Sequence, residues 1–145
     1  MHIREMRISY GRCLPVEGQM LNIRNAREVV AVMSPVLEKE VVEVCYVLFL
    51  TTRNGLIRYH QLSRGGVSNT LVHPREVYQA ALLANAACIV LVHNHPSGDP
   101  MPSPDDMAVT QRVRDAGELL GIELLDHIII GHHGRYASFK ELGQL

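Results

Sequence analysis

The sequence predicts a mixed α/β domain, because short β-branched and apolar runs alternate with segments whose apolar residues recur at the helical period. The length of 145 residues suits one domain, and such a chain buries about two thirds of its unfolded surface. Apolar residues make up 47% of the chain and charged residues 20%, a composition that is typical of globular proteins with a packed core.

Three helices are predicted from apolar spacing and from residues that favour helix ends. Asn25 can cap the first helix, and Pro35 is expected to bend or end it. Pro74 suits the first turn of the second helix, and Gly121 can end the third. The predicted segments are 26–33, 74–84 and 104–120.

The other apolar runs predict β-strands. Asn54-Gly55 favours a tight hairpin turn between the first two of them. Residues 2–16 alternate loosely and predict an edge strand or an arm. Exposed strands such as residues 2–10 could pair two copies of the chain as a homodimer. The predicted strands are 43–50, 56–62, 88–92 and 122–130, with a last short strand near Tyr136.

Charge and composition argue against nucleic-acid and membrane partners. The net charge is −1, whereas proteins that bind phosphate backbones usually carry a basic patch. We interpret Arg53, Arg58, Arg64 and Arg75 as solvated surface, although local nucleic-acid contact through them stays open. No run of about 18 apolar residues is present. The N-terminus does not resemble a signal peptide and no Cys-x-x-Cys pair occurs, so we expect a cytoplasmic protein.

A His-x-His pair closes the apolar run 88–92 and indicates a metal site. Residues two apart on a strand point to the same side, so the rings of His93 and His95 can face one point. Asp106 can add a carboxylate from the following segment. Three protein ligands leave a tetrahedral zinc ion one position for water, which is the arrangement of catalytic zinc sites. The competing interpretation is that these histidines are simply polar residues at a strand end.

Asp106 has a second interpretation, as part of a helix start. Ser103 at the N-cap, Pro104 at the first helical position and an acid at the third resemble a capping box. A single carboxylate cannot fully serve both a metal and a backbone N–H. Asp105 and Asp99 are therefore the alternative carboxylates.

The spacing of these residues resembles the metal-binding signature of the JAMM (MPN+/JAB) metallohydrolases: His93-x-His95, seven residues, Ser103, two residues, Asp106. The string 93–100, with similar stretches at 72–76 and 125–131, resembles the RadC branch of that superfamily. The resemblance implies a JAB/MPN-like (cytidine-deaminase-like) mixed β-sheet flanked by helices. It covers residues 40–145, so we expect residues 1–39 to be a lead segment packed on, or swapped from, this domain.

The resemblance also implies the role of each site residue. His93, His95 and Asp106 would bind one Zn²⁺ per chain, and Ser103 would stabilise an oxyanion. The general base in this family is a glutamate ahead of an apolar run, which Glu43 matches, with Glu40 and Glu38 as alternatives. A glutamate is rarely buried without a partner, so an acid at the edge of a buried strand is otherwise unexpected.

The function implied by the resemblance is that of a zinc-dependent metallohydrolase of the RadC DNA-repair-associated family, which cleaves a peptide or isopeptide amide in a protein or peptide substrate. The alternative is a non-catalytic metal-binding interaction module in DNA repair or a mobile genetic element. A serine hydrolase is excluded, because Ser97 lies in no Gly-x-Ser-x-Gly elbow. Asp126-His127 either supplies a carboxylate to the outer nitrogen of a ligand histidine or only shapes a strand.

Overall fold

The computed structural model describes residues 21–68 and 71–145. Within these ranges three helices and five strands form a mixed α/β fold, as the sequence predicts. The elements are α1 Ala26–Leu37, β1 Val44–Leu50, β2 Leu56–Arg64, α2 Pro74–Leu83, β3 Cys88–Asn94, α3 Pro104–Leu120, β4 Glu123–Ile130 and β5 Tyr136–Ser138.

The five strands form one sheet in the order β2-β1-β3-β4-β5, with β3 in the middle. Strand β3 pairs antiparallel with β1 and parallel with β4, and the chain crosses between the two parallel strands through α3. The antiparallel pairing sets the start of β1 beside the end of β3, with Cys45 opposite His93. The start of β1 and the end of β3 therefore lie side by side at one end of the strands, where α3 begins.

Helices cover both faces of the sheet. On β3, Ile89 and Leu91 belong to the core cluster that contains α2 and α3, whereas Val90 and Val92 belong to the cluster that contains α1. Side chains alternate along a strand. His93 therefore continues the row that faces α3, and Asn94 continues the row on the α1 side.

The residues predicted to delimit the helices occupy those positions. The Asn25 side chain accepts a hydrogen bond from the Glu28 N–H at 3.0 Å, Pro74 lies in the first turn of α2, and Gly121 follows α3 with φ +70°. Helix α1 is longer than predicted, because Pro35 lies inside it and the helix continues to Leu37. The φ angle of proline fits a helix, and burial of Leu37 favours the extra turn.

Strand β3 also extends beyond its predicted end, because His93 and Asn94 still pair with β4. Helix α1, which belongs to the predicted lead segment, packs Val29, Met33 and Leu37 against the sheet. The division between residues 39 and 40 stays a prediction, and the arm predicted at 2–16 lies outside the described residues. Every helix in the described ranges is too short or too polar to cross a membrane.

Candidate metal centre

Four side chains converge where β1 begins, β3 ends and α3 starts. They are Glu43, His93, His95 and Asp106, here called the ligand cluster, and one nitrogen or oxygen atom of each lies within 4.8 Å of all the others. His93 lies in β3, His95 directly follows this strand, and the first turn of α3 supplies the aspartate. The structure thus brings together all three residues that the sequence suggests as metal ligands, together with the glutamate suggested as the base.

The spacing within the ligand cluster fits a tetrahedral ion. The Nε2 atoms of His93 and His95 lie 3.0 Å apart, and the Asp106 carboxylate oxygens lie 3.2 Å from the first and 3.3 Å from the second. Glu43 Oε1 lies 3.5 and 3.8 Å from the same two nitrogens. Ligands bound to zinc at 2.0–2.1 Å lie about 3.3 Å from one another at tetrahedral angles. Two imidazole nitrogens and carboxylate oxygens are also a donor set that divalent transition metals accept, so the cluster could hold a metal ion.

Asp106 takes part in the ligand cluster and in the helix cap at the same time. Its Oδ2 accepts a hydrogen bond from the Ser103 N–H at 2.8 Å, and its own N–H donates to Ser103 Oγ at 3.1 Å. Oδ1 faces His93. The sequence suggests that metal binding and helix capping compete for this carboxylate. The structure avoids that competition, because Oδ2 accepts the capping hydrogen bond and Oδ1 faces His93. The alternative carboxylates lie elsewhere, since Asp105 is exposed and Asp99 accepts from the Met101 N–H.

The neighbours of Asp106 keep its carboxylate charged. Burial alone would raise the pKa of this carboxyl. Hydrogen bonds with His93 and His95, the nearby His93 charge and the Ser103 N–H outweigh burial and hold the pKa well below its usual value. Asp106 is therefore an ionised, almost fully buried carboxylate at neutral pH, and a candidate oxygen ligand.

His95 is oriented by the proline-rich loop that follows β3. Its Nδ1 lies 2.8 Å from the carbonyl oxygen of Asp99. A carbonyl can only accept, so Nδ1 carries a proton and, in the neutral ring, Nε2 presents a lone pair to the ligand cluster. The loop is fixed in turn, because the Gly98 carbonyl accepts from the His132 N–H and from Arg135 Nη2 at 2.8 Å.

His93 is fully buried and has a second histidine behind it. Its Nδ1 lies 2.8 Å from Nε2 of His127, and Nδ1 of His127 lies 2.6 Å from the Thr110 hydroxyl. Burial lowers the pKa of His127 well below its usual value, and the charge on His93 lowers it further. Thr110 is not among the residues that the sequence pattern singles out. The available signal was its position four residues after Asp106, which puts both on one face of α3.

Asp126 does not support a ligand histidine. Its carboxylate accepts hydrogen bonds from the Ser138 hydroxyl, the Lys140 N–H and the His127 N–H. It therefore ties β4 to the end of the chain. Of the two roles open for Asp126-His127, the contact with a ligand histidine belongs to His127, and Asp126 shapes the strand.

Asn94 connects the histidine pair to the segment that carries Glu43. Its Oδ1 accepts from the Val44 N–H at 2.8 Å, and its Nδ2 donates to the Val42 carbonyl at 2.9 Å. These two hydrogen bonds hold the residues directly before and after Glu43. The residue between the two histidines therefore fixes the backbone of the acid that faces them.

The two alternative glutamates lie outside the ligand cluster. Glu40 forms an ion pair with Arg64 at 2.8 Å, and Glu38 is exposed near the end of α1. Both line a cavity of about 680 Å³ that opens beside His95, between α1 and the turn around Gly134. Glu43 is thus the glutamate whose carboxylate reaches the histidines.

The fold and the ligand cluster together define a mixed α/β domain with a candidate metal-binding site of two histidines and two acids. The family model of the RadC-like JAB domain matches residues 23–144, and the chain belongs to this family. It is 44% identical over 128 residues to a UPF0758 protein of Methanosarcina acetivorans, a match that covers 88% of this chain and 56% of that protein. It is 52% identical over 103 residues to a UPF0758 protein of Pelobacter propionicus, with 71% and 44% covered. The chain thus spans about half the length of the curated relatives that it matches.

Replacing Asn94 is predicted to loosen the segment that carries Glu43. In Asn94→Ala the Val44 N–H and the Val42 carbonyl both lose their partner, which should lower the free energy of unfolding by about 1–3 kcal/mol. Hydrogen exchange at the Val44 amide should accelerate. Gln111→Ala, at an exposed position of α3, is the control and should change neither quantity. Unchanged exchange at Val44 in Asn94→Ala would show that the side chain does not hold this segment.

Metal binding is predicted to weaken as the pH falls. The hydrogen bond with Asp106 raises the pKa of His95, and burial opposes this only in part. A raised pKa means that the proton on Nε2 persists to higher pH, and a metal has to displace it. The Kd for Zn²⁺ should therefore rise about tenfold for each unit by which the pH falls, as long as one proton is displaced. A chelator competition series measures this, with His60→Ala as the exposed-histidine control. A Kd independent of pH would contradict the assignment.

Proposed function

We propose that this domain is a zinc-dependent metallohydrolase that cleaves a peptide or isopeptide amide bond with an activated water molecule. The proposal depends on one observation: two imidazole nitrogens and two carboxylates of unequal burial face one point. His93, His95 and Asp106 would hold the ion. A zinc ion bound there would supply Lewis acidity, which polarises a carbonyl group and acidifies water.

Glu43 is the proposed general base and acid. Its side chain is 26% exposed, whereas that of Asp106 is 1% exposed, so Glu43 is the carboxylate that solvent and substrate can reach. Its Oε1 would accept a proton from the attacking water and then donate it to the leaving amine nitrogen. The two bonds from Asn94 to the neighbouring backbone keep this carboxylate at the ligand cluster.

Ser103 is the proposed donor to the carbonyl oxygen of the substrate. In the cap its Oγ accepts from the Asp106 N–H, and acceptance leaves the hydroxyl proton free to donate. The cap also fixes Oγ at the start of α3, next to Asp106. A fixed donor aimed at developing negative charge stabilises a tetrahedral intermediate.

A protein or peptide is the proposed substrate, and the cytoplasm is the proposed location. The cavity beside His95 offers room for an extended chain next to the ligand cluster. The buried Cys45 and Cys88 are free thiols, which agrees with a reducing compartment. The DNA-repair association stays a prediction, because a net charge of −1 gives no support for direct DNA contact.

Glu43→Gln is predicted to separate metal binding from hydrolysis. The amide keeps the shape of the side chain but cannot accept the proton, so cleavage should slow by about 10²–10⁴-fold. Zn²⁺ should still bind, because His93, His95 and Asp106 are intact. The measurement uses a peptide library with mass-spectrometric detection of new amino termini, in parallel with zinc titration.

Glu118→Gln is the matched control, because Glu118 is an exposed glutamate of α3 near Arg114 and does not line the cavity beside His95. It should cleave like the wild type. Loss of cleavage in Glu40→Gln with full cleavage in Glu43→Gln would reassign the base to Glu40. Absence of cleavage by both wild type and Glu43→Gln would contradict the proposed hydrolysis and favour the metal-binding interaction module.

Ser103→Gly is predicted to lower kcat by about 10²–10³-fold, because it removes one oxyanion donor. Glycine is a tolerated N-cap, so the free energy of unfolding should change by only about 0.5 kcal/mol. Ser103→Thr, which keeps the hydroxyl and the cap, should retain most of the activity. Equal kcat values for Ser103→Gly and the wild type would limit Ser103 to capping α3.

A further inference from the structure

A chain of buried hydrogen bonds runs behind His93, on the side away from the ligand cluster. His93 Nδ1 lies 2.8 Å from His127 Nε2, and His127 Nδ1 lies 2.6 Å from Thr110 Oγ1. The Thr110 hydroxyl lies 2.6 Å from the backbone carbonyl oxygen of Asp106. We call Thr110 and His127 the relay. Both relay side chains and His93 are buried, so water does not replace these contacts.

The backbone carbonyl sets the direction of every hydrogen bond in the chain. A carbonyl oxygen only accepts, so the single hydroxyl proton of Thr110 is donated to Asp106. Thr110 Oγ1 must then accept from His127, which places the ring proton of His127 on Nδ1. A neutral imidazole has one donor and one acceptor, so His127 Nε2 accepts from His93 Nδ1. In the neutral form of His93, which is the form that binds a metal, the remaining nitrogen Nε2 presents a lone pair to the ligand cluster.

We propose that Thr110 and His127 are positioning residues that hold His93 in the Nδ1-protonated tautomer and thereby keep its Nε2 available to a divalent cation. This inference rests on the proposed metal-dependent function and names the residues that prepare the metal ligand. A histidine ligand is usually oriented by a carboxylate, a carbonyl or water at its other nitrogen. Here a second imidazole takes that place and adds no negative charge behind the ligand.

The surroundings of His127 hold its ring in place. The ring stacks on Phe139 with centroids 4.9 Å apart and an interplanar angle of 13°. The Asp126 carboxylate accepts from the backbone N–H of His127. Ring plane and backbone are therefore fixed separately, and the Thr110 hydroxyl decides which ring nitrogen carries the proton.

The relay also ties metal binding to helix α3. Asp106 contributes its carboxylate to the ligand cluster and its backbone carbonyl to the start of the relay. One turn of α3 therefore positions the aspartate directly and His93 through two side chains. Without the hydroxyl of Thr110, His127 is free to carry its proton on Nε2. His93 would then have to accept at Nδ1 and carry a proton on Nε2, which blocks a metal bond.

The test compares Thr110→Val, which keeps the shape but removes the hydroxyl, with Thr110→Ser, which keeps the hydroxyl. The Kd for Zn²⁺ is measured by competition with a chromophoric chelator on the full chain. Thr110→Val should weaken binding about 10- to 100-fold, in the range found when such outer partners are removed. Thr110→Ser should bind like the wild type. Tyr78→Phe, which removes a buried hydroxyl bonded to the Val113 carbonyl of α3 instead, controls for general loss of stability and should leave the Kd unchanged.

Ring ¹⁵N spectra of the histidines provide a second measurement that requires neither activity nor a stable variant. In the wild type, His127 should show a protonated Nδ1 and an unprotonated Nε2, with or without Zn²⁺. A protonated Nε2 on His127 would overturn the relay, as would equal Zn²⁺ affinities for Thr110→Val and the wild type. Failure of the wild type to bind Zn²⁺ would instead overturn the proposed function. Zinc binding without cleavage would remove only the hydrolytic part of that function.

Discussion

The burial of His93 is the constraint on which the rest of the site depends. It lies at the end of the middle strand with no exposed surface, so neither ring nitrogen can rely on water. A buried polar atom without a partner costs about 1–3 kcal/mol. One nitrogen is satisfied by His127 and the other faces Asp106 and His95. Strand β3, the N-terminus of α3 and the relay together enclose this one imidazole.

The secondary structure was predictable because its signals are local. Asn25, Pro74 and Gly121 act within a turn or two of their own positions, and the alternation along β3 follows from strand geometry alone. The ends of α1 and β3 were misplaced, because burial of Leu37 and pairing of Asn94 with β4 depend on distant segments. Tertiary packing overrides local propensity at such ends.

The ligand cluster was predictable from the spacing of its residues in the sequence. The contacts that Asn94, Thr110 and His127 make around it were not. His93, His95 and Asp106 lie within one short stretch whose pattern is specific. Thr110 and His127 carry no such pattern, since a threonine on a helix and a histidine in an apolar strand each have ordinary structural roles. Their connection arises only when β4 is laid parallel to β3 and α3 crosses over both. The role of Asn94 likewise depends on the antiparallel pairing of β1 with β3.

The two acids of the ligand cluster would balance the charge of a bound cation, and they differ in burial and in the contacts that hold them. A divalent cation among two neutral imidazoles and two carboxylates gives a site with no net charge, which a partly buried location favours. Asp106 is buried, capped by Ser103 and held ionised, so it suits permanent ligation. Glu43 is partly exposed and held through its backbone, so its carboxylate is the one that solvent can reach. The fold thus divides one pair of acids into a buried carboxylate and an accessible one, and the proposed metal-assisted hydrolysis would use the first as a ligand and the second as a proton carrier.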